Sequence, residues 1–256
     1  MNVAAYLNRI GYMGSTEPSL ETLRGLHHAH LMTVPFENLD IHLPRRIELN
    51  LDRIFTKIVH ERRGGFCYEI NGLFAALLKA LGFEVHLLSA RQTLPDGKRG
   101  PAFDHLLLLV NMEQPWIADV GAFREPYRLD EERCEIDGRC ARISQRGDEY
   151  ILASKYSTGD WADSWAFTLE PKDFREFAGM CHYHQTDPES HFMRNRICSR
   201  ATTDGRISLT NDLFIRSDAH SRTEEAVESG AEWHRILREQ FGIVVPGATA
   251  DRSAAG

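Results

Sequence analysis

The stretch "RRGGFCYEINGLFAALLKALGF", residues 62–83, decides how the rest of the chain is read. Ile70, Leu73, Phe74, Leu77, Leu78 and Leu81 step by three, one, three, one and three, the spacing of one apolar helix face. Lys79 suits the last turn, and Gly82 suits the residue just past it. At the front, Gly64 and Gly65 precede Cys67, where the helix is predicted to begin. A cysteine in a first helical turn sits among unpaired backbone N–H groups at the positive end of the helix dipole. Arg62 and Arg63 add positive charge there, whereas Glu69 opposes a thiolate but suits a helix start. The two glycines are expected to leave the sulfur uncrowded. Because the thiolate is the nucleophile, this setting makes Cys67 a candidate for covalent chemistry. A buried packing thiol fits the same spacing. Spacing alone leaves both readings open.

Upstream, the chain reads helical. "SLETLRGLHHAHLM" puts Leu20, Leu23, Leu26, His27, His30 and Leu31 on one face, and Pro35 ends it. "LDRIFTKIVHE" repeats the pattern with Ile54, Ile58 and Val59. Downstream of Phe83 the pattern turns to β. "FEVHLLSARQ", "AFDHLLLLV" and "PWIADV" read as strands, the last two joined by a turn at "NMEQ", and "CARISQRGDEYILAS" reads as a hairpin. The final part mixes short strands with a helix predicted over "TEEAVESGAEWHRILREQFG", and its small polar end is expected to fray. The predicted fold class is α+β with three lobes. Residues 1–83 form a helical bundle carrying Cys67, 84–185 an antiparallel β-barrel, and 186–256 an α/β lid.

The totals bound the class. The chain has 256 residues, 42% hydrophobic and 26% charged, as in an ordinary globular protein, with a net charge of -7. That balance argues against nucleic acid or an anionic membrane as a main partner, since phosphate binding needs a basic surface. No apolar run is long enough to span a bilayer, and the opening residues do not read as a secretory leader. Five cysteines, an odd number without framework spacing, are expected as reduced thiols in a cytoplasm.

A nucleophilic cysteine needs a base and a group to orient that base. His105 stands inside an apolar strand, where it must find a partner. Asp119 stands out the same way in "WIADVG". A turn centred near Met112 would pair residues whose numbers sum to about 224, which places His105 opposite Asp119. Taken without Cys67, that pair reads as a satisfied core contact; with it, the three form a Cys–His–Asp set.

The motifs that carry this set, "VPFENLD" (34–40), "RRGGFCYEINGLF" (62–74), "GPAFDHLLLLV" (100–110), "WIADVG" (116–121) and "PESHFMRNRICS" (188–199), closely resemble those of the arylamine N-acetyltransferase family, in the same order and over nearly the whole chain. The resemblance implies a three-lobed fold with a cysteine-proteinase-like core. It implies ping-pong acetyl transfer from acetyl-CoA to an aromatic amine or hydrazine, with Cys67 as nucleophile, His105 as base and Asp119 as orienter. It places Phe36 and Phe192 on the acceptor pocket and makes Glu37 and Arg63 a structural ion pair. No metal is implied.

One stretch departs from the family. After Asp119-Val120-Gly121 the chain runs straight into "AFREP", a loop shorter by about three residues. The resemblance puts Gly121 beside the donor CoA, and Phe123 is the aromatic available to replace a missing pocket residue. A shorter loop also suits a related activity, an amide synthase that closes a macrolactam from a carrier-protein thioester, and this is the alternative reading. Cysteine-protease signatures are missing around Cys67. Cys181, His182, His184 and His191 match no common zinc spacing, so no metal is expected there.

Overall fold

The apolar steps of the opening stretch form helix α4 (Cys67–Ala80), closed by Leu81 and by Gly82 at φ 92°. In the computed structural model of the chain, described for residues 1–94, 96–129, 131–134, 139–156 and 159–245, α4 is the hub of the largest core. Helices α1 (Val3–Ile10) and α2 (Leu20–Thr33), capped by Asn2 and Ser19, pack on it. The short helix α3 (Leu51–Phe55) runs into a π-helical turn at Thr56–His60. The expected fraying of the chain's end falls on residues 246–256, outside the described residues.

Thirteen strands are described. The short β1 (Phe36–Glu37) lies in the helical part. It is followed by β2 (Glu84–Gln92), β3 (His105–Asn111), β4 (Pro115–Ala118), β5 (Tyr127–Arg128), β6 (Glu132–Cys134), β7 (Arg139–Arg146), β8 (Glu149–Tyr156) and β9 (Ala162–Phe167). After helices α5 (Ala178–Thr186) and α6 (His191–Arg194) come β10 (Cys198–Ala201), β11 (Gly205–Leu209), β12 (Leu213–Asp218), β13 (Arg222–Ala226) and helix α7 (Gly230–Phe241). One antiparallel sheet has eight strands in the order β5-β4-β3-β2-β9-β8-β7-β6. Tyr127 of β5 and Ile143 of β7 share one apolar cluster although five strands separate theirs in the sheet, so the sheet is strongly curled. Its two edge strands do not pair with each other among the described residues, which makes it a half-barrel instead of the expected closed barrel. The second sheet, β1-β10-β11-β12-β13, ties residues 36–37 of the helical part to the C-terminal part.

Two other expectations change. Residues 223–226, predicted helical, lie in β13, because β12 offers a free edge on which Leu213 pairs with Ala226. The helix starts only at Gly230, where Ser229 caps it. Phe177 and Cys181 pack into the core built around α4. The five cysteines are not all thiols: Cys134 and Cys140 are opposite partners in the β6–β7 ladder and are joined by a disulfide. Chain reversal between the two strands makes that pairing, and spacing alone does not reveal it. Cys67, Cys181 and Cys198 are free and buried.

Candidate active site

Cys67 is the first residue of α4, and the turn before it is built by close backbone approach. A β-carbon on Gly64 would come 1.9 Å from the Pro35 carbonyl oxygen, and one on Gly65 would come 2.7 Å from Glu69 Cβ. The glycines therefore serve the packing of residues 35–37 against 63–65, where Glu37 N–H donates to Gly65 O and Gly65 N–H to Pro35 O. This replaces the expectation that they clear space for the sulfur.

Glu69, two residues after Cys67, points roughly to the opposite side of the helix at about 100° per residue. It caps the helix start by accepting from Phe66 N–H and holds Lys57 Nζ with both oxygens at 2.8 and 3.0 Å. Lys57 also lies 2.9 Å from Asp40, and the Arg63 guanidinium lies 2.8 Å from both Glu37 and Asp40. All five side chains are buried. Burial disfavours the Lys57 cation, but Glu37, Glu69 and Asp40 outweigh it and raise its pKa above the usual lysine range. Three carboxylates share two cations here. Burial and the Glu37 charge push Glu69 up to about 7, with Lys57 only partly offsetting them. The Glu37–Arg63 pair was legible in sequence, but Lys57 was not. Lys57 stands three residues after Ile54, on the apolar face, but a lysine reads as a solvated residue until the carboxylates that hold it are placed.

On the Cys67 side of α4 lie the three residues expected to react. His105 Nε2 is 2.7 Å from Asp119 Oδ2, and Cys67 is near enough to the imidazole to favour its charged form. The β3–β4 register is Leu108 to Ala118 and Asn111 to Pro115, so opposite numbers sum to 226 and not 224. The loop is Met112-Glu113-Gln114, three residues, which moves the centre by one. Asp119 thus reaches diagonally past the end of β4 to His105, a contact that sheet geometry allows. Asn71, one turn after Cys67 on the same helix face, completes the arrangement. Its Nδ2 donates to Asp119 Oδ1 and to Leu106 O, and its Oδ1 accepts from Val120 N–H. A buried asparagine four residues after the cysteine was the available signal for it.

These contacts set the charges. Burial works against an imidazolium at His105, yet the Asp119 charge and hydrogen bond, with Cys67, hold its pKa well above the ordinary range. Burial likewise works against the Asp119 carboxylate, but His105, Asn71 and the Gly121 N–H keep its pKa below the usual value. His27, wholly buried and near Asp119, is pushed down to about 4 by burial and stays neutral at neutral pH.

The strand carrying His105 is entered through Phe103, whose φ of 64° is unusual for a residue with a side chain. Tyr68 Oη donates to Phe103 O at 2.7 Å and reaches Asp104 O at 3.1 Å, and Phe103 N–H donates to Ser89 Oγ. The residue after the cysteine thus braces the turn before the histidine.

Phe36 and Phe192 face each other with ring centroids 6.1 Å apart, and Phe66 meets Phe192 edge-on at 5.9 Å. Gly121 lies against this group: a β-carbon there would come 2.9 Å from Ile70 and 3.2 Å from Phe36. Phe123 does not join them. Its ring is buried in the half-barrel core, edge-on to Tyr127. Arg124 carries the short loop the other way, donating to the carbonyls of Thr202 and Gly205. Of the four side chains weighed as metal ligands, Cys181 and His184 are buried, His184 Nε2 lies 3.3 Å from Asp104, and no group of three ligand-type residues converges among the described residues. No helix described is long and apolar enough to cross a membrane.

Known proteins share this fold. The family model described as N-acetyltransferase matches residues 19–250. The arylamine N-acetyltransferase of Escherichia coli K12 is 34% identical over 251 residues, spanning 95% of this chain and 89% of the relative. The solved arylamine N-acetyltransferase of Salmonella typhimurium superposes with a TM-score of 0.88 at 31% identity, over 98% of this chain and 93% of that one. The Mycobacterium marinum enzyme, solved in complex with CoA, superposes with a TM-score of 0.87 at 28% identity, over 94% of this chain and 93% of that one. Cys67 at a helix start, His105 and Asp119 from neighbouring strand ends, and a match along nearly the whole chain lead to one conclusion: this chain belongs to the arylamine N-acetyltransferase family.

Proposed function

We propose that the protein transfers an acetyl group from acetyl-CoA to an aromatic amine or hydrazine through a thioester on Cys67. The observation that carries this reading is the buried pair of His105 Nε2 and Asp119 Oδ2, 2.7 Å apart, beside the free and buried Cys67 at the start of α4. The Cys67 thiolate attacks the acetyl carbonyl. The CoA carbon–sulfur bond breaks, and the CoA sulfur takes the His105 proton. The amine then attacks the acetyl thioester, its proton passes to His105, and the Cys67 thiolate is released beside a restored imidazolium. The backbone N–H of Cys67, a first-turn donor without a helical acceptor, is placed to stabilise the oxyanion.

Phe36 and Phe192 supply apolar walls suited to an aryl ring. Gly121, with no room for a side chain between Ile70 and Phe36, lets the backbone after Asp119 pass close to these rings, on the side assigned to the donor. Phe123 packs away from the cleft, so it is not assigned to substrate. The relatives named above are acetyltransferases, which favours CoA over a carrier protein as donor. The test is acetylation of a panel of arylamines and hydrazines from acetyl-CoA, run beside Cys67→Ser. Transfer by the wild type alone supports the proposal. No transfer to any amine, or full activity in Cys67→Ser, contradicts it.

A further inference from the structure

Trp165 lies on β9, outside every motif that carries the family resemblance. Its indole stacks on the His105 imidazole, with ring centroids 4.7 Å apart and planes 25° from parallel. The sheet register explains the contact. On β2, Ala90 pairs with His105 of β3 on one side and Phe167 of β9 on the other, and Gln92, two residues on, pairs with Trp165. His105, Ala90 and Trp165 therefore share one face of the sheet. Ala90 is wholly buried and carries only a methyl group, so the two larger rings meet over the central strand.

Asp119 holds the imidazole by one edge, through Nε2, and Cys67 is its other interacting neighbour. An edge contact leaves the tilt of the ring loosely set; a flat surface on its face fixes that tilt. An indole face is also the aromatic surface that attracts a cation most strongly. The charged and titratable groups facing His105 are Cys67 from α4 and Asp119 beyond β4, with neutral His27 of α2 behind Asp119. Asp104, next in the chain, lies against His184 of α5. Strands β2 and β9 bring the uncharged Ala90, Phe167 and Trp165.

We propose that Trp165 is a positioning residue of the acyl transfer, stacked on His105 to fix its ring and to stabilise its positive charge. This rests on the function proposed above. Losing the stack would make the imidazolium release its proton at lower pH, so the basic limb of the rate profile would fall earlier.

The experiment compares wild type, Trp165→Phe and Trp165→Leu by two measurements. One is the rate of Cys67 acetylation against pH. The other is the titration of the His105 imidazole by nuclear magnetic resonance, with His105→Gln assigning the signal. Trp165→Leu should slow acetylation about tenfold and lower both the basic limb and the His105 midpoint by about one pH unit. Trp165→Phe, which keeps a ring, should fold as the wild type does and fall between the two, with KM for the amine unchanged. Unshifted His105 titration in both variants overturns the proposal, whether or not rate is lost, because rate loss alone would be a packing effect. The titration needs no acyl donor. A wild type that acetylates nothing would therefore refute the functional reading while this measurement still decides the stack.

Discussion

Two sets of buried charged groups flank the first turn of α4, and they are built on different rules. Behind the turn, Glu37, Asp40, Lys57, Arg63 and Glu69 bind one another by several short contacts each. In front of it, His105 and Asp119 pair beside Cys67, with Asn71 and the Gly121 N–H occupying the other Asp119 oxygen. The rear set uses all its charge on shape. The front set leaves a free thiol beside an oriented imidazole. Buried charge alone therefore does not mark a candidate active site; a nucleophile left beside an oriented hydrogen-bonded pair does.

Breaking the front set should cost rate and little stability. Asp119→Asn keeps the volume but removes the charge that favours the imidazolium, and should lower the acetylation rate by about 10³-fold or more. Stopped-flow detection of CoA release, with thermal melts alongside, checks this. A variant that melts far earlier but retains its rate would reverse the roles assigned to the two sets.

The opposite outcome is expected behind the turn. Lys57→Met leaves three buried carboxylates to one buried guanidinium, with the half-exposed Arg45 reaching only Asp40 among them, and should cost about 3–5 kcal/mol of stability. Urea unfolding measures it, and the folded fraction should still acetylate at near the wild-type rate.

Tyr68→Phe removes the brace between the cysteine turn and the strained Phe103. One buried hydrogen-bond donor is lost and two carbonyls are freed, for about 1–2 kcal/mol. The account predicts a severalfold slower acetylation with substrate KM unchanged. An unaltered rate would show that His105 needs no brace on this side.

The smallest effect is expected from Glu69→Gln. It leaves two carboxylates with two cations, so stability at neutral pH should change by no more than about 1 kcal/mol. Its pH dependence should change more. A carboxylate raised to about 7 holds its proton more tightly folded than unfolded. Its contribution is then full below the unfolded value near 4.5 and is lost as pH rises through about 7. Melting temperatures across that window should decline in the wild type and flatten in Glu69→Gln.

Much of the front set was legible because each member breaks an apolar pattern: a cysteine at a helix start, a histidine and an aspartate in strands. The register was off by two in its sum, yet the pair survived, since a diagonal contact at strand ends tolerates one step. Asn71 was hidden by being an ordinary helix residue until Asp119 was placed opposite. Lys57 was hidden because its partners Glu37, Asp40 and Glu69 come from other segments, and a lysine by itself reads as solvated. Trp165 was out of reach because its contact spans β3, β2 and β9, and sheet order is not written in local periodicity. The same reason hid the Cys134–Cys140 disulfide and let residues 223–226 pass for helix, since a strand edge elsewhere decides them.

The most direct test of the central claim is intact-mass analysis of the protein after brief exposure to acetyl-CoA without an amine, with peptide mapping of the product. The account predicts one acetyl group per chain, on Cys67, and its loss when an aromatic amine or hydrazine is added. Acetylated amine formed with no acetyl on Cys67 at any time, or an unchanged yield from Cys67→Ala, would contradict it.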